Sequence, residues 1–121
     1  MMEELDVLAV CSMAAPEREA TMGKVFEQVM AMPEHEQIAV FKDLIGKMAE
    51  KATDSQYLNL CSTNLKLAAN LPDTALKPFL AMRMKSAAEL PKNLAERDMK
   101  LLQEALSHSD PAVRNKIAGN M

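Results

Sequence analysis

Glycine is scarce in this chain of 121 residues, occurring only at positions 23, 46 and 119. Neither GxGxxG nor GxxxxGK(S/T) can be written with so few, which excludes nucleotide sites that cradle phosphates on glycine-rich loops. Tryptophan is absent, and the aromatic residues are only Phe26, Phe41, Phe79 and Tyr57, too few for the stacking platforms that hold unpaired bases. Excess positive charge is also missing. The formal charge is −3, so no long-range field draws in phosphates, and neither nucleic acid nor an anionic membrane is expected as a partner. Cysteine is limited to Cys11 and Cys61, set within apolar helical patterns, which favours buried thiols in a reducing compartment over a disulfide framework. The expected address is the cytoplasm.

Long hydrophobic runs are lacking as well, and no stretch approaches the roughly 18 apolar residues of a membrane span. Leu5 to Ala15 has some look of a secretion signal, and Leu8-Ala9-Val10-Cys11 of a lipobox. Against this, Met1-Met2-Glu3-Glu4 is acidic where a signal carries Lys or Arg. Asp6 interrupts the run, and Val10 stands where a small residue precedes a lipidated Cys, so a cytoplasmic reading is kept. β-branched residues are few, with Val, Ile and Thr together numbering 13. Nothing alternates with period two over the length of a strand, so no sheet is expected.

What the chain has in plenty is Ala, Leu, Met, Glu and Lys, the strong helix formers. Proline followed by acidic residues marks helix starts, since the N–H that proline lacks would be unpaired in a first turn anyway. That signal recurs at Pro16, Pro33 and Pro72, proline without the acids marks starts at Pro91 and Pro111, and Thr53 with Gln56 has the spacing of a capping box, as do Asn93 and Glu96. Between these starts the apolar period is helical. Met22, Val25, Phe26, Val29 and Met30 form one stripe, and Ile38, Phe41, Leu44, Ile45 and Met48 the next. From Ser55 to Leu71 only Lys66 is charged, and apolar residues fall on two sides, so this helix is expected at the centre. Leu76, Phe79, Leu80, Met84 and Ala87 form a further stripe, followed by Leu94, Leu101, Leu102, Ala105 and Leu106, then a short final helix carrying Val113 and Ile117. Pro78 either begins a helix or bends one that started at Pro72.

Pro33, Pro72 and Pro111 are separated by 39 and 39 residues, and Pro16, Asp54 and Pro91 by 38 and 37. An interval near 40 is the length of a two-helix repeat. The segment from Leu101 through Ser107-His108-Ser109-Asp110-Pro111-Ala112-Val113-Arg114 to Ala118 resembles the turn and second helix of a HEAT-type repeat. Ala75-Leu76-Lys77-Pro78-Phe79-Leu80 is similar to the proline-bent first helix of such a repeat. The resemblance implies an all-α chain of six to seven helices, arranged as stacked antiparallel hairpins in a short solenoid that binds other proteins. It also implies a structural hydrogen-bond ladder involving Asp110 and Arg114. The earlier hairpins lack the Asp and Val-Arg pair, and a compact helical bundle is the alternative.

A search for chemistry finds little. His35-Glu36 opens like HExxH, but Ala39 occupies the place of the second zinc ligand. Glu104 and His108 share a helix face without a third ligand, and read as a solvated pair near a helix C-terminus. Tyr57 and Cys61 are i, i+4 neighbours, but no base lies within four residues of Cys61, so an inert core thiol is expected. No catalytic set, metal or cofactor is assigned. The eleven methionines divide into Met22, Met30, Met48 and Met84 on core stripes, and Met32, Met82 and Met99 to the side, where adaptable side chains suit an interface. Met82 shares its segment with Lys77, Arg83, Lys85 and Lys92 against the single acid Glu89. These five residues form the expected protein-binding patch.

The function expected is therefore a non-catalytic interaction or adaptor domain that binds another protein. Residues 1–36 carry a formal charge of −6 and residues 37–121 one of +3. A solenoid this short leaves an apolar end exposed beside its short final helix, so self-association through the C-terminal hairpin is also expected, with Glu3, Glu4 and Asp6 meeting the basic patch of another copy. The alternative function is a bundle enclosing a small apolar ligand or metallocofactor, with Cys11, Cys61 and core methionines as soft ligands.

Overall fold

The computed structural model describes residues 6–121. Among the described residues there are seven helices and no strands: α1 (Val7–Cys11), α2 (Ala15–Met30), α3 (Glu34–Lys51), α4 (Asp54–Ala69), α5 (Asp73–Ala88), α6 (Lys92–Ser107) and α7 (Pro111–Ala118). The chain is all-α, as its periodicity implies.

The helix starts show how local chemistry sets these boundaries. Pro33, Pro72 and Pro91 sit one residue earlier than expected, at the N-cap, with extended ψ near 150° (156°, 154° and 147°). An N-cap residue needs a carbonyl for the first helical bond and no N–H, so proline suits it, and Gln37, Leu76 and Ala95 donate to the three proline carbonyls. At Thr53 the capping box forms in both directions, with Gln56 N donating to Thr53 Oγ1 at 3.1 Å and Thr53 N to Gln56 Oε1 at 2.9 Å. The box expected at Asn93 and Glu96 does not form, because the helix has already begun after Pro91. The apolar stretch read against a secretion signal folds as α1. Asp6, which interrupts that run, is its N-cap and accepts from Leu8 N and Ala9 N.

Packing skips neighbours. Helices α1, α3 and α5 make one row of contacts and α2, α4 and α6 another, and the rows are joined chiefly by α3 with α6 and α1 with α4. That order suits either a hairpin stack or a helical bundle. Helix α7 departs from the row order and closes on α4, not α5. As the two-sided pattern of its sequence implies, α4 is central, touching α1, α2, α6 and α7. All three phenylalanines meet across α2, α3 and α5: Phe79 stacks tilted on Phe26 at 5.0 Å and edge-on to Phe41 at 5.7 Å between centroids. Gly46 on α3 lets Leu90 approach, since a Cβ there would lie 3.3 Å from Leu90 Cδ2.

Helix α5 starts at Asp73 and continues through Pro78, which removes the bond to the Thr74 carbonyl. Both residues are exposed, so water replaces that bond. Pro78→Ala should raise stability by about 1–2 kcal/mol, less than the roughly 3 kcal/mol cost of an interior proline because Ala leaves the unfolded chain freer. A urea midpoint equal to or below that of the parent protein would contradict this.

Candidate functional site

Three helices are tied by a buried polar cluster that no local motif announces. Asp98 on α6 is 2% exposed. Its Oδ2 accepts from Arg83 Nη1 at 2.6 Å and its Oδ1 from Arg83 Nη2 at 2.8 Å, a two-pronged pair reaching in from α5. Tyr57 on α4 donates its hydroxyl to Asp98 Oδ1 at 2.5 Å. Burial pushes the Asp98 carboxyl up, but the hydrogen bonds and charge of Arg83, joined by the Tyr57 hydroxyl, outweigh it and hold the group below the ordinary carboxylate range. Arg97, the residue before Asp98 on α6, reaches the end of α3. Its guanidinium donates to the carbonyls of Met48, Ala49 and Ala52 at the end of α3 and to Asp54, and lies 5.3 Å from the Tyr57 ring centroid. A cation there complements the negative end of the α3 dipole.

Cys61 lies beside this cluster, and Cys11 beside Arg18. Cys61 is buried, and desolvation pushes it up to about 12, although Arg83 pulls the other way. No base lies within four residues of Cys61 along the chain, but Arg83 arrives from a different helix. The inert thiol follows nonetheless, because burial outweighs the added charge. Cys11 is buried and raised for the same leading reason. Among the described residues no group of three or more His, Cys, Asp or Glu side chains comes together. Glu104 is half-buried, and His108 ends α6 as its exposed C-cap.

A cavity of about 90 Å³ lies in the core, lined by side chains from all seven helices, with apolar walls that include Phe41, Ile45, Leu80, Leu102, Leu106 and Ile117. Asn64 also lines it, and Asn64 Oδ1 is the one buried side-chain polar atom among the described residues without a hydrogen-bond partner. Met84, Gln103 and Met121 reach the cavity from exposed positions and form its lip. Met99, four residues before Gln103 on α6, extends the exposed rim, being 61% accessible.

The expected protein-binding patch is therefore divided. Lys77, Lys85 and Lys92 are exposed, but Met82 is 3% accessible and Arg83 is committed to Asp98. Helix α5 is covered by α3 on one side and reached by α6 on the other, so its buried arc is wide enough to take in Met82 and Ser86. Met30 and Met84, expected in the core, are exposed at 38% and 50%. Asp110 and Arg114 make no side-chain ladder with each other. Arg114 Nη1 donates to the Ser107 carbonyl at 3.3 Å, and Asp110 is the N-cap of α7 without a side-chain capping bond. Asp6 caps α1, while Glu3 and Glu4 lie outside the described residues.

Comparison with family models, characterised proteins and solved structures gives no match. The resemblance to HEAT-type repeats rests on the residues quoted above.

Arg83→Met should destabilise the fold by about 3–5 kcal/mol, since it leaves a buried carboxylate without its cation. Arg83→Met with Asp98→Leu together should recover most of that loss, and urea titration of the single and double variants measures both. Because the folded pKa of Asp98 lies below its unfolded value near 3.9, its contribution is present above about pH 4 and is lost as pH falls further. Asp98→Asn should flatten that acid limb of the stability curve. A disulfide-exchange reagent at about pH 8 should leave both thiols of the folded protein unmodified and titrate them only after denaturation; rapid reaction of Cys61 in the native state would contradict its burial.

Proposed function

We propose that this chain is a non-catalytic helical module, built in the manner of a short HEAT-like hairpin stack, that binds another protein through the outer face of α5, α6 and α7. The observation that carries this reading is the run of exposed methionines: Met84, Met99 and Met121 are 50%, 61% and 62% accessible. Met84 and Met121 line one opening, and Met99 lies one turn before Gln103 of that opening on α6, with Lys77, Lys85 and Lys92 on α5 and α6. Flexible, polarisable thioethers give an apolar contact surface that adapts to a partner's shape, and the lysines add electrostatic selection for an acidic partner. Self-association through the same C-terminal elements belongs to this reading, as does a cytoplasmic setting.

The test is photo-crosslinking from positions 84 and 99 in the native cell, with position 24 on α2 as a control. A single recurrent partner, captured from the first two positions only and lost when Met84, Met99 and Met121 are all changed to Gln, is the expected outcome. Equal background labelling at all three positions would overturn the proposal. Sedimentation across a salt series tests the self-association: a strict monomer at low ionic strength counts against it.

A second reading, an internal site for a small apolar ligand, is favoured by the cavity behind the methionine lip. At about 90 Å³ it is well below the roughly 300–1,000 Å³ of ordinary cofactor and drug sites, which limits the ligand to a few atoms. The metallocofactor form of this reading gains no support from the ligand-type side chains, which do not cluster among the described residues.

A further inference from the structure

We propose that the core cavity that opens at Met84, Gln103 and Met121 is a binding site for a short aliphatic alcohol, or an equally small apolar group ending in a hydroxyl, which donates its hydrogen to Asn64 Oδ1. This rests on the second reading above and gives it a ligand chemistry.

Two independent observations meet at this place. The first is the apolar lining, with Leu80, Leu102, Leu106 and Ile117 offering carbon surface to a carbon body. The second is Asn64 Oδ1, buried on the same wall with no donor in reach. A buried acceptor left unmade costs the desolvation of that atom, so an occupant that brings one donor is favoured over one that brings none. Charged occupants fit poorly. Arg83 also lines the cavity, but its charge is matched by Asp98 at 2.6 Å. A carboxylate there would meet a cation already neutralised, and an ammonium would be desolvated without a counter-ion. Water is a weak competitor, since a buried water takes about three hydrogen bonds and one orphan acceptor supplies one.

Size narrows the class further. An apolar cavity of about 150 Å³ holds benzene. By proportion, one of about 90 Å³ accepts around four non-hydrogen atoms, with room for a longer tail only toward the lip. Met84, Gln103 and Met121, exposed at that lip, form the entry, where two unbranched thioethers can swing aside without disturbing the helices.

The experiment compares 1-butanol with methyl propyl ether, isomers with the same atoms of which only the alcohol has a donor. Each is titrated into the intact protein while the methyl resonances of Met84 and Met121 are followed by NMR. The alcohol should shift both methyls saturably and bind about five times more tightly than the ether, the range expected for one neutral hydrogen bond in a buried site. Asn64→Leu should abolish that preference while the ether still binds, and Leu106→Phe, which fills the cavity, should weaken both. Equal affinities in the parent protein, or a preference that survives Asn64→Leu, would overturn the hydroxyl assignment and leave the apolar site standing. The absence of saturable shifts with either probe would overturn the site itself. If Asn64→Leu does not fold, the parent comparison still decides the matter.

Discussion

A buried carboxylate holds three helices to one register. Asp98 is 2% exposed, and a charge so placed is tolerated only when its partners are fixed and complete. Arg83 from α5 and Tyr57 from α4 supply those partners. The pair is tight enough to fix which turn of α5 faces which turn of α6. A slip of either helix by one residue would rotate Arg83 away by about 100° and strand the carboxylate in the core. The apolar contacts around it are more forgiving, since one leucine can replace another with modest loss. Specificity of arrangement therefore lies in the polar cluster, and the bulk of the stabilisation in the apolar burial around it.

The remaining arginines repeat this logic at longer range. Arg97 gathers three carbonyls at the end of α3 and the Asp54 carboxylate that begins α4. Arg18 on α2 donates to Thr63 on α4 at 2.8 Å and to the Met13 carbonyl at 2.7 Å. Each guanidinium thus ties helices that already pack on one another, α6 on α3 and α4 for Arg97 and α2 on α4 for Arg18. This suits a topology in which rows of alternate helices touch while several sequential neighbours barely do. Short connections reverse the chain, and the planar, multiply donating side chains lock the reversed elements together.

This tight centre contrasts with the C-terminal face. There α7 turns back on α4, and Met84 and Met121 stand exposed where the cavity opens. Exposed apolar patches commonly mark binding surfaces, because a partner removes that apolar surface from water. The rigid cluster one turn away keeps that face in shape, so little order must be gained when it is occupied.

The sequence by itself determined the number and near-boundaries of the helices, the absence of strands, the central place of α4 and the burial of both thiols. Those follow from period, capping chemistry and composition, which act within a few residues. It did not determine which side of α5 is covered. Met82 and Met84 are two residues apart and chemically identical, yet one is 3% and the other 50% accessible, because α3 and α6 both claim part of the arc around that helix. Nor did it reveal that Arg83, read as a surface cation, would meet Asp98 fifteen residues later. An isolated Arg and an isolated Asp carry no spacing signal, and only the crossing of α5 with α6 brings them within hydrogen-bond reach. The orphaned Asn64 beside the cavity is likewise a product of assembly: local pattern places a side chain on a face, but whether that face is sealed, paired or left open is fixed by what packs against it.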